Sequence, residues 1–178
     1  LTTDVYFNTL GGIAALDSMS SGNALDNTAV GFNALTADTT GDANTGIGAS
    51  ALAATTTGGY NTGIGYRALT ANTTGNQNTA LGVDSLKQNT TTDGNTALGY
   101  RALEKNIATI NTAVGLEALQ ENTTGVHNTA LGAYAADDNT TGSNNTALGR
   151  SALTANTIGN DNTAVGFDAL LANTTGYN

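Results

Sequence analysis

A seventeen-residue phrase returns along the whole chain with small changes: NTGIGYRALTANTTGNQ from Asn61, NTALGRSALTANTIGND from Asn145 and NTAVGFDALLANTTGYN from Asn162. Ten copies begin at Asn8, Asn27, Asn44, Asn61, Asn78, Asn95, Asn111, Asn128, Asn145 and Asn162. The first, Asn8 to Asp26, carries two extra residues near Leu25 and Asp26, and has Met19 and Ser20 where later copies have Asn and Thr. The sixth, Asn95 to Ile110, is one residue short and reads NIATI where its neighbours read NTTG. A fixed period of this size is the sequence sign of a solenoid, in which each unit hides its apolar face against the next and none is stable alone. The chain therefore divides into a lead-in or cap over residues 1–7 and a ten-coil repeat domain over residues 8–178. The lead-in places Val5, Tyr6 and Phe7 side by side, which suits a segment that covers the open end of the first coil.

Each coil reads in three parts. The opening, N-T-[A/G]-[V/I/L]-G, is a strand, because Thr and β-branched residues favour a pleated backbone and polar and apolar residues alternate. Alternation puts Thr28 and Val30 on one side and Asn27, Ala29 and Gly31 on the other. The third position is Ala or Gly in every copy but the first, and the fifth is Gly in all ten, so something approaches that side too closely for a larger side chain. On this reading Val, Ile or Leu fills the coil's interior. The Ala/Gly side then meets either a neighbouring chain, which is the preferred reading, or the opposite wall of the same coil.

The middle of the coil gathers helix formers, as in YRALTAN, VDSLKQN, YRALEKN and LEALQEN. It predicts one helical turn, with Val30, Ala34 and Leu35 converging on the interior and a strand as the rival conformation. The close, N-T-T-G, is a turn, with Gly supplying the positive φ that lets the chain double back. Stacked at the spacing of hydrogen-bonded strands, ten coils make a rod roughly 45–50 Å long. The Asn heading each copy then becomes a structural ladder of side-chain amides bonded from coil to coil. The expected fold class is all-β: a solenoid of ten coils, a parallel β-roll or β-prism, with a short helical turn in each.

Composition narrows the partners. A formal net charge of −9 and a pI near 4.1 argue against a nucleic-acid backbone or an anionic membrane surface, since both repel an acidic protein. Arg67, Lys87, Arg101, Lys105 and Arg150 are spread over several coils and read as solvated charges. With no cysteine there is no disulfide framework, thiolate nucleophile or Cys-ligated metal. No apolar run approaches the ~20 residues that span a bilayer, so direct membrane insertion is not expected. Leu1 is not an initiator and the last residue completes a repeat, so a longer parent chain is expected.

The repeated NTAVG and NTALG strands, each followed by a small residue and a turn, resemble the head repeats of trimeric autotransporter adhesins of the YadA type. The longer pattern NTAxGxxALxxNTTG is similar to repeats in phage tail fibres and related trimeric bacterial fibres. The likeness covers Asn8 to Asn178, with a coil longer than the roughly fourteen residues usual in adhesin heads. It implies a homotrimer of left-handed parallel β-rolls, with the strands of each coil facing the other subunits. It also implies an extracellular place on a bacterial surface fibre or a phage virion, and a glycan or protein receptor as the outside partner. Within these 178 residues there is no coiled-coil stalk, membrane-anchor barrel or self-cleaving chaperone domain, parts that the longer parent chain is expected to supply.

Catalytic chemistry is present only in outline. Gly63 to Ala68 and Gly46 to Ala51 match the dinucleotide pattern G-x-G-x-x-A, but that turn works within a βαβ unit of ~30 residues, and here the glycines are packing residues. His127, the single histidine, reads as an exposed turn residue. Asp38 with Asp42, or Asp137 with Asp138 and Asn139, read as solvated turn groups rather than a cation site. The sequons at Asn72, Asn89, Asn122, Asn139 and Asn173 arise from NTT in the repeat. The sequence thus points to no enzyme, no cofactor, no metal and no catalytic residue. If a surface binds, its variable aromatics Phe32, Tyr66, Tyr100, Tyr134 and Phe167, with Tyr60 and Tyr177 in turns, are the candidates for contact with a ligand or another subunit. The leading function is a non-enzymatic structural or adhesive fibre segment. The alternative is an ice-binding solenoid that uses Thr39, Thr56, Thr73, Thr90, Thr123, Thr140, Thr157 and Thr174 as a flat array.

Overall fold

The computed structural model describes residues 2–3, 7–17 and 24–176; Val5, Tyr6, Met19, Ser20 and Tyr177 lie outside them. The strands β1 (Thr2–Thr3), β2 (Thr9–Gly11), β3 (Thr28–Val30), β4 (Thr45–Ile47), β5 (Thr62–Ile64), β6 (Thr79–Leu81), β7 (Thr96–Leu98), β8 (Thr112–Val114), β9 (Thr129–Leu131), β10 (Thr146–Leu148) and β11 (Thr163–Val165) form one sheet in chain order. From β2 to β11 all pairs are parallel and in register, so that Thr62 lies beside Thr79, Gly63 beside Ala80 and Ile64 beside Leu81. The chain is a β-solenoid of ten stacked strands. At the other edge β1 lies antiparallel to β2, pairing Thr2 with Leu10 and Thr3 with Thr9. It occupies an edge that would otherwise present free N–H and C=O groups.

The interior is narrower than the sequence reading supposed, and its sides are reversed. Ala29, Ala80, Ala97, Ala113, Ala130 and Ala147 are fully buried, whereas Ile47, Leu81 and Leu131 are 38%, 45% and 46% exposed. The small residues therefore face inward, and Thr with Val, Ile or Leu faces out. The body that excludes larger side chains belongs to the same chain. A Cβ built on Gly46 would lie 3.2 Å from Leu35 Cγ, and one on Gly63 would lie 3.1 Å from Leu52 Cγ. From the second coil on, only alanine or glycine stands between the strand wall and the buried leucines of the facing wall, Leu35, Leu52, Leu69, Leu86, Leu103, Leu119 and Leu153, while Leu10 takes that place in the end coil. Each of these leucines contributes about 1.5–3 kcal/mol by leaving water.

No helix forms among the described residues, which corrects the helical turn expected in mid-coil. Every second residue there is left-handed: Asn33 at φ 55° and Leu35 at φ 50°, then Ser50 and Leu52, Arg67 and Leu69, and so on. A right-handed helix needs consecutive αR residues, and one isolated turn would return a single hydrogen bond for three residues fixed. The alternating backbone instead turns its N–H groups along the stack. Leu35 N–H donates to Ala51 O of the following coil at 3.0 Å, and Ser50 N–H to Phe32 O of the preceding one at 2.8 Å. A left-handed L-residue costs roughly 1–2 kcal/mol, which the inter-coil bonds and leucine burial offset.

Two polar columns run through the core. In the first, Asn27 Oδ1 accepts from Asn44 N–H at 2.7 Å, and Asn44 Oδ1 accepts from Asn61 N–H at 3.0 Å. From Asn8 to Asn145 each Nδ2 donates to a carbonyl at the end of its own coil, as Asn44 does to Gly58 O at 2.8 Å. The second column was not read as a ladder from sequence. Asn72, Asn89, Asn106, Asn122, Asn139 and Asn156 are fully buried, and their amides bond to one another, for example Asn139 Nδ2 to Asn122 Oδ1 at 2.8 Å. Its signal was the same NTT that produces the sequons: an Asn recurring at a fixed phase of the coil.

Asp38 holds an Asn place in that second column. Its Oδ1 accepts from Gly41 N–H at 2.8 Å, while Oδ2 is buried without a partner. Burial is the main cause that lifts its pKa to about 7, with the charge of Asp42 adding to it and the Gly41 N–H opposing. A carboxyl whose folded pKa lies above its unfolded value favours the folded state at low pH and loses that contribution as pH rises toward 7. Asp38→Asn is therefore expected to stabilise the protein at pH 8 by about 1–3 kcal/mol and to gain little at pH 4. Urea unfolding at the two pH values checks this. An equal effect at both would show that ionisation at Asp38 is not involved.

Candidate functional site

The outward strand face is the most regular surface of the molecule. Thr lies beside Thr from coil to coil, and Val30, Ile47, Ile64, Leu81, Leu98, Val114, Leu131, Leu148 and Val165 form an aliphatic column in register. Each strand ends at a glycine whose φ lies between 124° and 141°. The bend there carries the next residue round a corner.

Phe32, Tyr66, Tyr100 and Phe167 each follow that corner glycine directly and are 55%, 49%, 42% and 67% exposed. Tyr134 stands one place further along, with a left-handed φ of 59°, so the structure separates it from the other four. Guanidinium groups stack on these rings: Arg67 on Tyr66 at 4.7 Å, Arg101 on Tyr100 at 5.0 Å and Arg150 on Phe167 at 5.5 Å. Arg67 is held in turn by Asp84 of the next coil, with Nη2 2.8 Å from Oδ2 and Nε 2.8 Å from Oδ1. This contact raises the Arg67 pKa further. Glu104 gathers Lys87 at 3.2 Å, Gln120 at 2.9 Å and Arg101 at 3.6 Å. Lys105 meets Glu121 at 2.6 Å, and its pKa is raised by that bond. Being partly exposed, these pairs add little stability, but all except Arg101–Glu104 link adjacent coils, and they fix the rings' surroundings.

The turn threonines are aligned as well, and their hydroxyl protons are used within the stack. Thr39 Oγ1 donates to Thr56 O at 2.9 Å, Thr73 Oγ1 to Thr90 O at 3.0 Å and Thr140 Oγ1 to Thr157 O at 2.9 Å. His127 is exposed in its turn. Asp137 is lifted to about 6, by burial first and then by Asp138, Glu117 and Glu121. Among the described residues no three His, Cys, Asp or Glu side chains gather to hold a metal ion. The dinucleotide-like glycines pack on Leu52 and on Gly82, and no helix follows them to receive a phosphate.

Comparison with known protein families, with characterised proteins and with solved structures finds no match to this chain.

Proposed function

We propose that the chain is a non-enzymatic structural and adhesive segment of a homotrimeric fibre, extracellular on a bacterial surface or a phage virion, where it spaces or forms a receptor-binding head. The observation that carries this reading is the aliphatic column of the strand face. It repeats in nine successive coils, so an apolar stripe about 40 Å long faces water on the single chain. A partner able to meet it coil for coil must share its rise, and further copies of the same chain do. Closed rings of identical subunits satisfy such a stripe without leaving a free end, and three-fold closure is what the likeness to adhesin heads and tail fibres implies. The interior, filled by Ala, Leu and two Asn columns, suits a rigid spacer. The ice-binding alternative is weaker, because the turn hydroxyls it would present already donate along their column.

Light scattering at several concentrations tests the reading. A mass near three times 17.7 kDa is expected, falling to one chain's mass in the double variant Leu81→Asp, Leu131→Asp with an unchanged circular dichroism spectrum. A wild-type monomer at every concentration would overturn it.

A further inference from the structure

We propose that the aromatic row behind the glycine corner, centred on Tyr66 and Tyr100 and extended by Phe32, docks an extended β-1,4-linked glycan of uncharged or amino-substituted sugars. The row is separate from the strand face and differs from it in kind. Columns that pack against copies in register carry one residue type throughout, as the strand face does. Over the second to sixth coils the corner column runs Phe32, Ala49, Tyr66, Val83, Tyr100, so a ring alternates with a smaller side chain there, before Leu116, Ala133 and Arg150 end the pattern. Nothing in the coil's own packing demands that alternation, since these rings are 42–55% exposed.

Spacing selects the ligand. Rings in alternate coils are two strand spacings apart, ~9.6 Å, which matches the disaccharide repeat of an extended β-1,4-linked chain. Every second sugar can then lay its C–H face on a ring. The rings are held in place before any ligand arrives: Arg67 covers part of Tyr66 and is anchored on Asp84, and Arg101 covers part of Tyr100 between Glu104 and Glu117. These guanidinium side chains are 38% and 39% exposed and offer N–H donors to sugar hydroxyls beside the stacked face. Such preorganisation lowers the ordering cost of binding. The net charge of −9 disfavours sulfated or uronic acid polymers, which leaves neutral or amino-substituted chains.

Calorimetric titration with cellohexaose and with chitohexaose tests the proposal and separates a glucose from an amino-sugar preference. The expected result is binding of at least one hexamer, at least tenfold tighter than that of its disaccharide. Tyr66→Ala and Tyr100→Ala should each weaken it about tenfold, while His127→Ala, in an exposed turn outside the row, leaves it unchanged. Light scattering on the tyrosine variants should show the wild-type mass. Absence of binding by either hexamer at millimolar concentration overturns the glycan row, as does binding indifferent to chain length or to both tyrosines. A drop in mass for Tyr66→Ala would assign the row to subunit contact and overturn it too. A monomeric wild type that binds the hexamer would leave this proposal standing and remove the fibre reading alone.

Discussion

Replacing Gly132 by alanine is expected to divide the stack into two cooperatively separate halves and to cost more than about 4 kcal/mol. Two terms add. Gly132 sits at φ 141°, outside the region that alanine tolerates, which costs roughly 1–3 kcal/mol. A Cβ there would also stand 2.5 Å from both the carbonyl carbon and the oxygen of Gly149. That obstacle is backbone, and it is tied to its neighbours by Gly149 N–H to Leu131 O at 2.8 Å, so it cannot swing aside as a side chain would. Gly166 separates the terms. It shares the conformation, at φ 124°, but its added Cβ would meet only Ala169 Cβ at 4.0 Å. Gly166→Ala should therefore lose only the torsional part. Urea unfolding followed by circular dichroism should give two transitions for Gly132→Ala and one for Gly166→Ala, because stability in such arrays is passed between nearest neighbours. Equal losses in the two variants would show that the close approach of adjacent coils does not limit this column to glycine.

Asn128→Ala is expected to cost roughly 2–4 kcal/mol, the penalty for a buried N–H losing its partner and a carbonyl losing one of two donors, together with a small cavity. Asn128 Oδ1 accepts from Asn145 N–H at 2.9 Å, and its Nδ2 donates to Gly142 O at 2.8 Å. Alanine leaves the Asn145 N–H unpaired in the core and removes one of two amide donors to Gly142 O, which keeps Asn139 Nδ2 at 2.9 Å. Asn128→Asp keeps an acceptor and discards the donor, so at pH 8 it should be at least as damaging. At pH 4 a protonated carboxyl can donate as well as accept and should recover part of the loss. Thermal unfolding of both variants at the two pH values checks this. A small effect for alanine at both pH values would mean that water enters the column and replaces the amide.

The stacking of the coils was legible because translation is written directly in the sequence. A strand-forming N-T-[A/G]-[V/I/L]-G followed by a turn, repeated at one length, can satisfy its backbone only by parallel pairing in register, and the two irregular copies do not break that order. The inward side was not legible, because alternation puts apolar residues on both faces of the strand: Ala29 on one, Val30 on the other. Helix-forming composition misled at Tyr66 to Asn72 and its equivalents. Propensity there is outweighed by N–H groups that find acceptors in the next coil. Among the candidate aromatics, Tyr134 looked equivalent to Tyr100 in sequence, yet it stands one residue past the corner, a difference of position relative to the glycine.

Taken alone, the sequence determined the period and the order and parallel register of the coils, since these follow from repetition. It put the positive φ on the glycine of N-T-T-G, whereas the structure has it on the glycine that ends each strand, as at Gly65 and not at Gly75. The tertiary structure decided which columns are core and which are surface. That choice depends on the distance between the two walls of one coil, a gap wide enough for a leucine against an alanine and too narrow for a second branched side chain. With the alanines inward, the valines, isoleucines and leucines of the strands are left facing outward, where a partner can reach them.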